Sequence, residues 1–314
     1  MKTSRDKASA KVLKPSRITQ KVRPEDLTVA IVGLGLIGGS VAMSLKSRRP
    51  RMTLIGCDLK EKLDSAKTAG VFSALFESKK LGQAVKDADY VFLCAPHSAN
   101  LALLMQLRAH LRPGAVVTDV GGLKREICQV GKKLYCDSQG PYFVGGHPLS
   151  GRELSGIGAA SPELFRGRTW AICEASEMPP ARKAEFFDLL DSTGAVFREV
   201  DARLHDESMV TVSHLPQLVS IALMLTASGR DAGMAGTALL DLTRLASSSP
   251  QTWNPVLLAE RQRAVAELQR LRAYLTELEI ALAFNEPLTR WFDLAHKARE
   301  SLVKATVAPP KSQG

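Results

Sequence analysis

A chain of 314 residues is too long for one ordinary domain and suits two. Its 45% apolar and 24% charged residues are those of a globular protein with a substantial core, which excludes disordered and fibrous classes. The net charge of +10 is partly concentrated at the start, where eight Lys and Arg residues between Lys2 and Arg23 face only Asp6, Glu25 and Asp26. This pattern describes a solvated, disordered basic arm over 1–25, not a nucleic-acid surface. The arm has no apolar centre like that of a secretory signal, and its acid and few serines argue against an organellar transit peptide. No apolar run is read as long enough to cross a bilayer. Five scattered cysteines without C-x-x-C spacing point to a reducing, cytoplasmic setting, and no pair of histidines or cysteines has metal-ligand spacing.

The first structured signal is an apolar strand over 29–32 followed by Gly33, Gly35 and Gly38 at G-x-G-x-x-G spacing and then a helical rhythm. Such a strand-turn-helix wraps the pyrophosphate of a dinucleotide: Gly33 permits the turn, Gly35 admits the phosphates, and Gly38 lets helix lie on strand. The backbone of Gly35, Leu36, Ile37 and Gly38 then offers unpaired N–H groups at the positive end of the helix. A second strand over 52–57 ends in Asp58, about where an acid holds the adenosine ribose. Asp58 can equally be the N-cap of a helix starting at Leu59. An acid at this position disfavours a 2'-phosphate, so NAD is expected over NADP, with Lys60 and Lys62 close by as a counter-signal.

Helix and strand continue to alternate: a helix to Ala69 stopped by Gly70, a short segment at 71–72, a helix over 81–86, a buried strand over 90–94 ended by Ala95-Pro96, and a helix over 99–111. A strand over 115–119, a helix over 124–133 and a strand over 142–144 follow. A strand over 169–173, a helix over 180–193 and a strand over 195–200 complete the set. This order predicts a Rossmann-type, doubly wound parallel sheet over 26–200, with ligands beyond the carboxyl ends of its strands at Gly33, Asp58, Ala95, Pro96 and Asp119. From Asp201 strand signals vanish, and 201–304 reads as all-helical: 205–228, 239–245, a long helix over 254–284 and a last one over 286–303, with a disordered tail over 305–314. In the long helix Leu268, Leu271, Leu275, Leu278 and Leu282 form a seam that suits either a dimer partner or an intramolecular core.

Three clusters carry possible chemistry. His147 follows the 142–144 strand in a glycine-rich turn and can accept a proton near neutral pH, or simply satisfy loop carbonyls. Ser213-His214-Leu215-Pro216-Gln217 places a proline inside a helix, which kinks it and turns His214 toward a cavity or a core. Asp241-Leu242-Thr243-Arg244 offers an arginine paired to Asp241 or free for a carboxylate.

Gly33 to Ser40, Thr118-Asp119, Gly145-Gly146-His147-Pro148-Leu149-Ser150-Gly151, Ser213 to Gln217 and Asp241 to Arg244 together resemble the prephenate/arogenate dehydrogenase family of tyrosine biosynthesis, over nearly all of residues 27–303. The resemblance implies a Rossmann domain followed by a helical dimerisation domain, a homodimer, NAD as cofactor, and the active site between the domains. It also implies that His147 holds the ring hydroxyl, Arg244 binds a substrate carboxylate and His214 adds a polar contact. Gly122 stands where the family usually has a serine, and Glu153 resembles an acid that faces the substrate side chain in some members. The implied reaction is NAD-dependent oxidative decarboxylation of prephenate, with arogenate as the nearest alternative substrate. A remoter alternative is an NAD-binding regulatory protein that has lost catalysis.

Overall fold

The computed structural model describes residues 11–12, 27–151, 154–174, 176–229 and 232–307. In chain order the first part contains β1 (Lys11–Val12), β2 (Thr28–Val32), α1 (Leu36–Arg48), β3 (Thr53–Asp58), α2 (Lys60–Thr68), β4 (Ala74–Glu77), α3 (Leu81–Val85) and β5 (Tyr90–Leu93). Next come α4 (His97–Leu107), β6 (Val116–Asp119), α5 (Arg125–Leu134), β7 (Tyr142–Pro148), β8 (Thr169–Glu174), α6 (Pro180–Asp191) and β9 (Val196–Glu199). The helical part contains α7 (Ala202–Met209), a π-helical turn (Val210–His214), α8 (Leu215–Ala227), α9 (Thr237–Thr243), α10 (Pro250–Ala259), α11 (Arg261–Ala283) and α12 (Thr289–Val307).

The strands form one sheet in the order β1-β9-β8-β7-β6-β5-β2-β3-β4. The six strands from β2 to β7 are mutually parallel, and the order reverses between β2 and β5, which opens the crevice where a doubly wound sheet binds its ligand. Both faces are covered. Val29 and Ile31 pack into one core with Tyr90, Phe92 and Trp170, while Ala30 and Val32 pack into a second with Val91, Leu93 and Tyr135. This division follows from the two-residue period of a strand, and it is why these strands read as continuous apolar runs.

The sheet is not wholly parallel. β8 pairs antiparallel with β7, and β9 runs parallel to β8. An apolar run does not encode strand direction; the direction comes from the connection, and the described residues between β7 and β8 hold only a 3-10 turn (Ile157–Ala159) and no crossover helix. Within the arm, Lys11 and Val12 pair antiparallel with β9, so this piece is strand; an open edge accepts any extended dipeptide through its backbone alone. The remaining arm and the tail from 308 lie outside the described residues. The segment at 71–72 is loop, and the strand falls at Ala74–Glu77, because Gly70, at φ +67°, reverses the chain before it can pair.

The helical part begins at Asp201, whose carboxylate caps α7 by accepting from Arg203 and Leu204 N–H. The helix expected over 254–284 is two helices that break at Glu260, whose backbone (φ −106°, ψ 23°) leaves the helical region. Its buried carboxylate is pinned by Arg263 at 2.6 Å. Of the leucine seam, Leu275 is 56% and Leu282 62% exposed, so an intramolecular core does not cover them. The continuous helical stretch 202–227 does have the length and apolar composition to cross a membrane, contrary to the sequence expectation. Its His205, Asp206, His214 and Gln217 are nonetheless buried against the rest of the chain.

Candidate active site

Two half-sites sit along the carboxyl edge of the sheet. The first is the glycine turn. Gly33, at φ +100°, sits where a Cβ would come within 2.6 Å of Ala95 N, so the turn lies directly on the end of β5. A Cβ on Gly38 would reach 1.9 Å from Gly33 O, so α1 can only meet the strand through glycine. Gly35 differs: nothing lies within 4 Å of its Cβ position, so the missing side chain leaves open space above the turn. Gly35 is the N-cap of α1, gives no side-chain cap, and no acid occupies the first turn. The first N–H groups of α1, at the half-buried Leu36 and Ile37, therefore lack a capping side chain, and the open space suits a dinucleotide pyrophosphate.

Asp58 closes one side of this turn. Its Oδ2 accepts Leu34 N–H at 2.5 Å and its Oδ1 accepts Leu59 N–H at 2.7 Å. The N-cap of α2 is Leu59, without side-chain capping, so Asp58 is oriented by the glycine turn and not by the helix. On the other side, buried Asn100 fixes the Ala95-Pro96 loop by accepting Ala95 N–H and donating to Leu93 O, both at 3.1 Å.

The second half-site surrounds His147. The sequence places this residue in a turn, but β7 continues through Gly145, Gly146 and His147, which pairs with Ala171 of β8. Glycine is a poor strand former, so the run reads as a turn; here it is required, because a Cβ on Gly145 would meet Cys128 Sγ at 2.5 Å and one on Gly146 would meet Asp119 O at 2.6 Å. Gly122 lies beside the imidazole, its Cβ position 3.7 Å from His147 Nε2. His147 Nδ1 lies 2.9 Å from His205 Nε2, and the rings meet edge to face. His205 Nδ1 lies 2.7 Å from Asp206 Oδ1.

Asp206 also accepts the backbone N–H groups of Lys124 and Arg125, each at 2.8 Å. It thereby caps α5, whose own N-cap residue offers no side chain. Burial raises the Asp206 carboxyl, but hydrogen bonds from His205, Arg125 and Lys124 outweigh it and leave its pKa below the ordinary value. Burial chiefly, then the nearby His205, Lys124 and His214, hold the His147 pKa well below 6.5, so the ring is neutral. His205 and Asp206 were not legible as functional residues: a His-Asp pair in a first helical turn is unremarkable until tertiary docking brings it to His147, 58 positions away.

His214 ends the π-turn. Pro216 has no N–H and displaces the carbonyl four residues back, and the turn widens so that Leu215 N–H reaches Val210 O. The ring is buried, its Nδ1 has no hydrogen-bond partner among the described residues, and Trp253 meets it edge-on at 6.1 Å. Burial lowers its pKa, partly countered by Glu260 and Asp206. Gln217 donates to Leu245 O at 2.8 Å, which ties this helix to the segment carrying the exposed Arg244.

Asp119, expected beside the cofactor, is engaged by the protein itself. Its side chain is fully buried, ion-paired with the equally buried Lys124, and accepts Gly121 N–H at 2.8 Å and Gly146 N–H at 3.2 Å. It braces the Gly121-Gly122 loop against β7. Glu153 lies outside the described residues. Among those described, no group of three or more His, Cys, Asp or Glu could hold a metal ion.

Comparison with known proteins places the chain in a family. Residues 41–199 match the family model described as prephenate dehydrogenase, nucleotide-binding domain, and 201–299 match prephenate dehydrogenase, dimerization domain. Prephenate dehydrogenase of Bacillus subtilis is 30% identical over 294 residues, covering 88% of this chain and 76% of that protein. The structure of Aquifex aeolicus prephenate dehydrogenase with hydroxyphenyl propionate and NAD+ superimposes with a TM-score of 0.77 at 26% identity, covering 88% and 98% of the two chains. Synechocystis arogenate dehydrogenase gives a TM-score of 0.71 at 26% identity, covering 88% and 100%. With a nucleotide-type glycine turn and a neutral histidine on one sheet edge, and both family models spanning the chain in order, the protein belongs to the prephenate dehydrogenase family.

Proposed function

We propose that the chain catalyses NAD-dependent oxidative decarboxylation of prephenate to 4-hydroxyphenylpyruvate. The observation that carries this reading is the neutral His147 beside Gly122, on the same sheet edge as the open cradle at Gly35. Gly33, Gly35, Leu36, Ile37 and Gly38 would hold the pyrophosphate, with Asp58 at the ribose and Ala95-Pro96 beside the dinucleotide. NAD, when bound, supplies the hydride acceptor for the ring carbon that carries the hydroxyl.

The remaining work belongs to this chain's residues. Neutral His147 accepts the hydroxyl proton as the ring C–H bond breaks. The ring carboxylate departs as carbon dioxide, its bonding electrons enter the ring, and His147 returns the proton to the phenolate oxygen. Aromatisation supplies the driving force, so orientation is the protein's main task. Arg244 pairs with a substrate carboxylate, and His214, with its unpartnered Nδ1, gives a polar contact. The open apolar face of α11 supports a homodimer, and the five free thiols support a reducing, cytoplasmic setting.

Steady-state assay of the purified chain with prephenate and arogenate, each with NAD and NADP, tests the reading. Turnover is expected with prephenate and NAD; preference for arogenate would replace the substrate, and no turnover with either would overturn the proposal. In the same assay His147→Asn is expected to lower kcat mainly and Arg244→Gln to raise KM mainly. The reverse pattern would exchange their roles.

A further inference from the structure

His147 is the end of a chain of three side chains that starts at a buried carboxylate. Asp206, held by the N–H groups of Lys124 and Arg125 as well as by His205, has only acceptors to offer. His205 Nδ1 must therefore carry the hydrogen between them. With that single hydrogen on His205, its Nε2 is an acceptor, and the hydrogen on the 2.9 Å contact then belongs to His147 Nδ1. The lone pair of His147 is left on Nε2, the atom that faces Gly122.

We propose that the His205–Asp206 pair is a positioning device that locks His147 in the Nδ1–H tautomer, so that Nε2 is the atom that receives the substrate proton. The role rests on the dehydrogenase reading above. When Nε2 takes the proton, the positive ring keeps its Nδ1–H on His205, whose own Nδ1–H stays on the Asp206 carboxylate. The new charge is thereby stabilised in a buried setting, where water would not do so. Both positioning residues lie on α7, while His147 lies on the sheet, and Asp206 simultaneously caps α5 beside the Gly121-Gly122 loop. The catalytic base is thus completed only where the helical part docks on the sheet.

The test combines two substitutions in the full chain with a spectroscopic measurement. His205→Gln keeps an amide oxygen for His147 Nδ1–H, whereas His205→Leu offers none. The Leu variant is expected to lose roughly tenfold to a hundredfold in kcat with KM for both substrates within about twofold, and the Gln variant to recover most of that loss. Equal losses in the two variants would overturn the proposal. Nitrogen-15 correlation spectra of the imidazoles should show His147 of the wild-type chain as the Nδ1–H tautomer, and a mixture in His205→Leu. An Nε2–H tautomer in the wild type would overturn the proposal without any variant having to fold. A wild-type chain that shows the Nδ1–H tautomer but turns over neither prephenate nor arogenate would support the lock and remove the dehydrogenase reading.

Discussion

Gly122 stands where the family resemblance places a serine, and the structure allows the missing side chain to be restored. A Cβ at Gly122 would lie 3.7 Å from His147 Nε2 and 3.8 Å from its Cε1, ordinary contact distances, and no positive φ strains the position. The hydroxyl of Gly122→Ser would sit one bond beyond that Cβ, within reach of both Nε2 and an oxygen bound to it. Before reaction the hydroxyl shares Nε2 with the substrate, which gains little. As the substrate oxygen loses its proton it becomes the better acceptor, so the serine O–H donates more strongly in the transition state and the benefit falls on kcat. One neutral hydrogen bond contributes about 0.5–1.5 kcal/mol net, which converts to a rise of roughly two- to twelvefold in kcat. Initial rates of NADH formation with saturating prephenate measure it, with the NAD dissociation constant and Tm as controls. A kcat that stays level or falls while both controls hold would refute the placement of the reacting oxygen between Gly122 and His147.

Two glycines of the cradle should respond differently. Gly35→Ala, with nothing within 4 Å of the new methyl, should leave Tm unchanged yet weaken NAD about tenfold or more, since charge-assisted hydrogen bonds of roughly 1.5–3 kcal/mol are lost; calorimetric titration measures it. Gly38→Ala must displace backbone at Gly33 O and should lower Tm as well as abolish binding. Because burial, His205, Lys124 and His214 depress the His147 pKa, the base stays neutral below 6.5, and the acid limb of kcat/KM should fall on the acid side of that value in a pH-rate profile. Stability follows the same sign: His147 and His214 have lowered folded pKa values, so their contribution is complete above pH 6.5 and is lost as pH falls below it, by at most about 1.4 kcal/mol per pH unit for each group. Urea unfolding at pH 7.5 and 5.5 measures that slope. Replacing the exposed Leu275 and Leu282 by Arg should dissociate the proposed dimer in analytical ultracentrifugation while leaving the fold of the single chain intact, and a wild-type chain that sediments as a monomer would refute the dimer.

What the sequence discloses depends on the range of the interaction that fixes each feature. The apolar runs of β2, β5 and β6 are visible because burial on both faces imposes composition residue by residue, and the glycine motif is visible because the turn leaves no room for a side chain at Gly33 and Gly38, with Gly35 open between them. Strand direction is set by neighbours, so the reversal at β8 is silent. His147 was placed one element wrong for a related reason. Gly145 and Gly146 weaken strand propensity locally, while the crowding by Cys128 and Asp119 that demands them comes from elsewhere in the chain. The position of Asp119 at a strand end is legible, but its pairing with Lys124 and its bracing of the Gly121-Gly122 loop are not, because both depend on how that loop packs against β7.

His205–Asp206 is silent in the sequence because its role depends on docking against a distant strand. A histidine proposed as a base needs a group that orients its other nitrogen, and no such group is adjacent to His147 in sequence. The group lies on the first helix after the last strand, which brings His205 to His147 and Asp206 to the start of α5. Asp206 satisfies a second demand from the same place: α5 begins at Lys124 and Arg125 without a capping side chain of its own. One carboxylate from α7 therefore fixes the helix that supports the Gly122 loop and the ring beside His147. The helical part for this reason contributes to the site itself: Asp206→Ala is expected to disturb the loop and the base together, lowering both Tm and kcat, although Asp206 touches neither Gly122 nor His147 directly, and an unchanged kcat would refute the link.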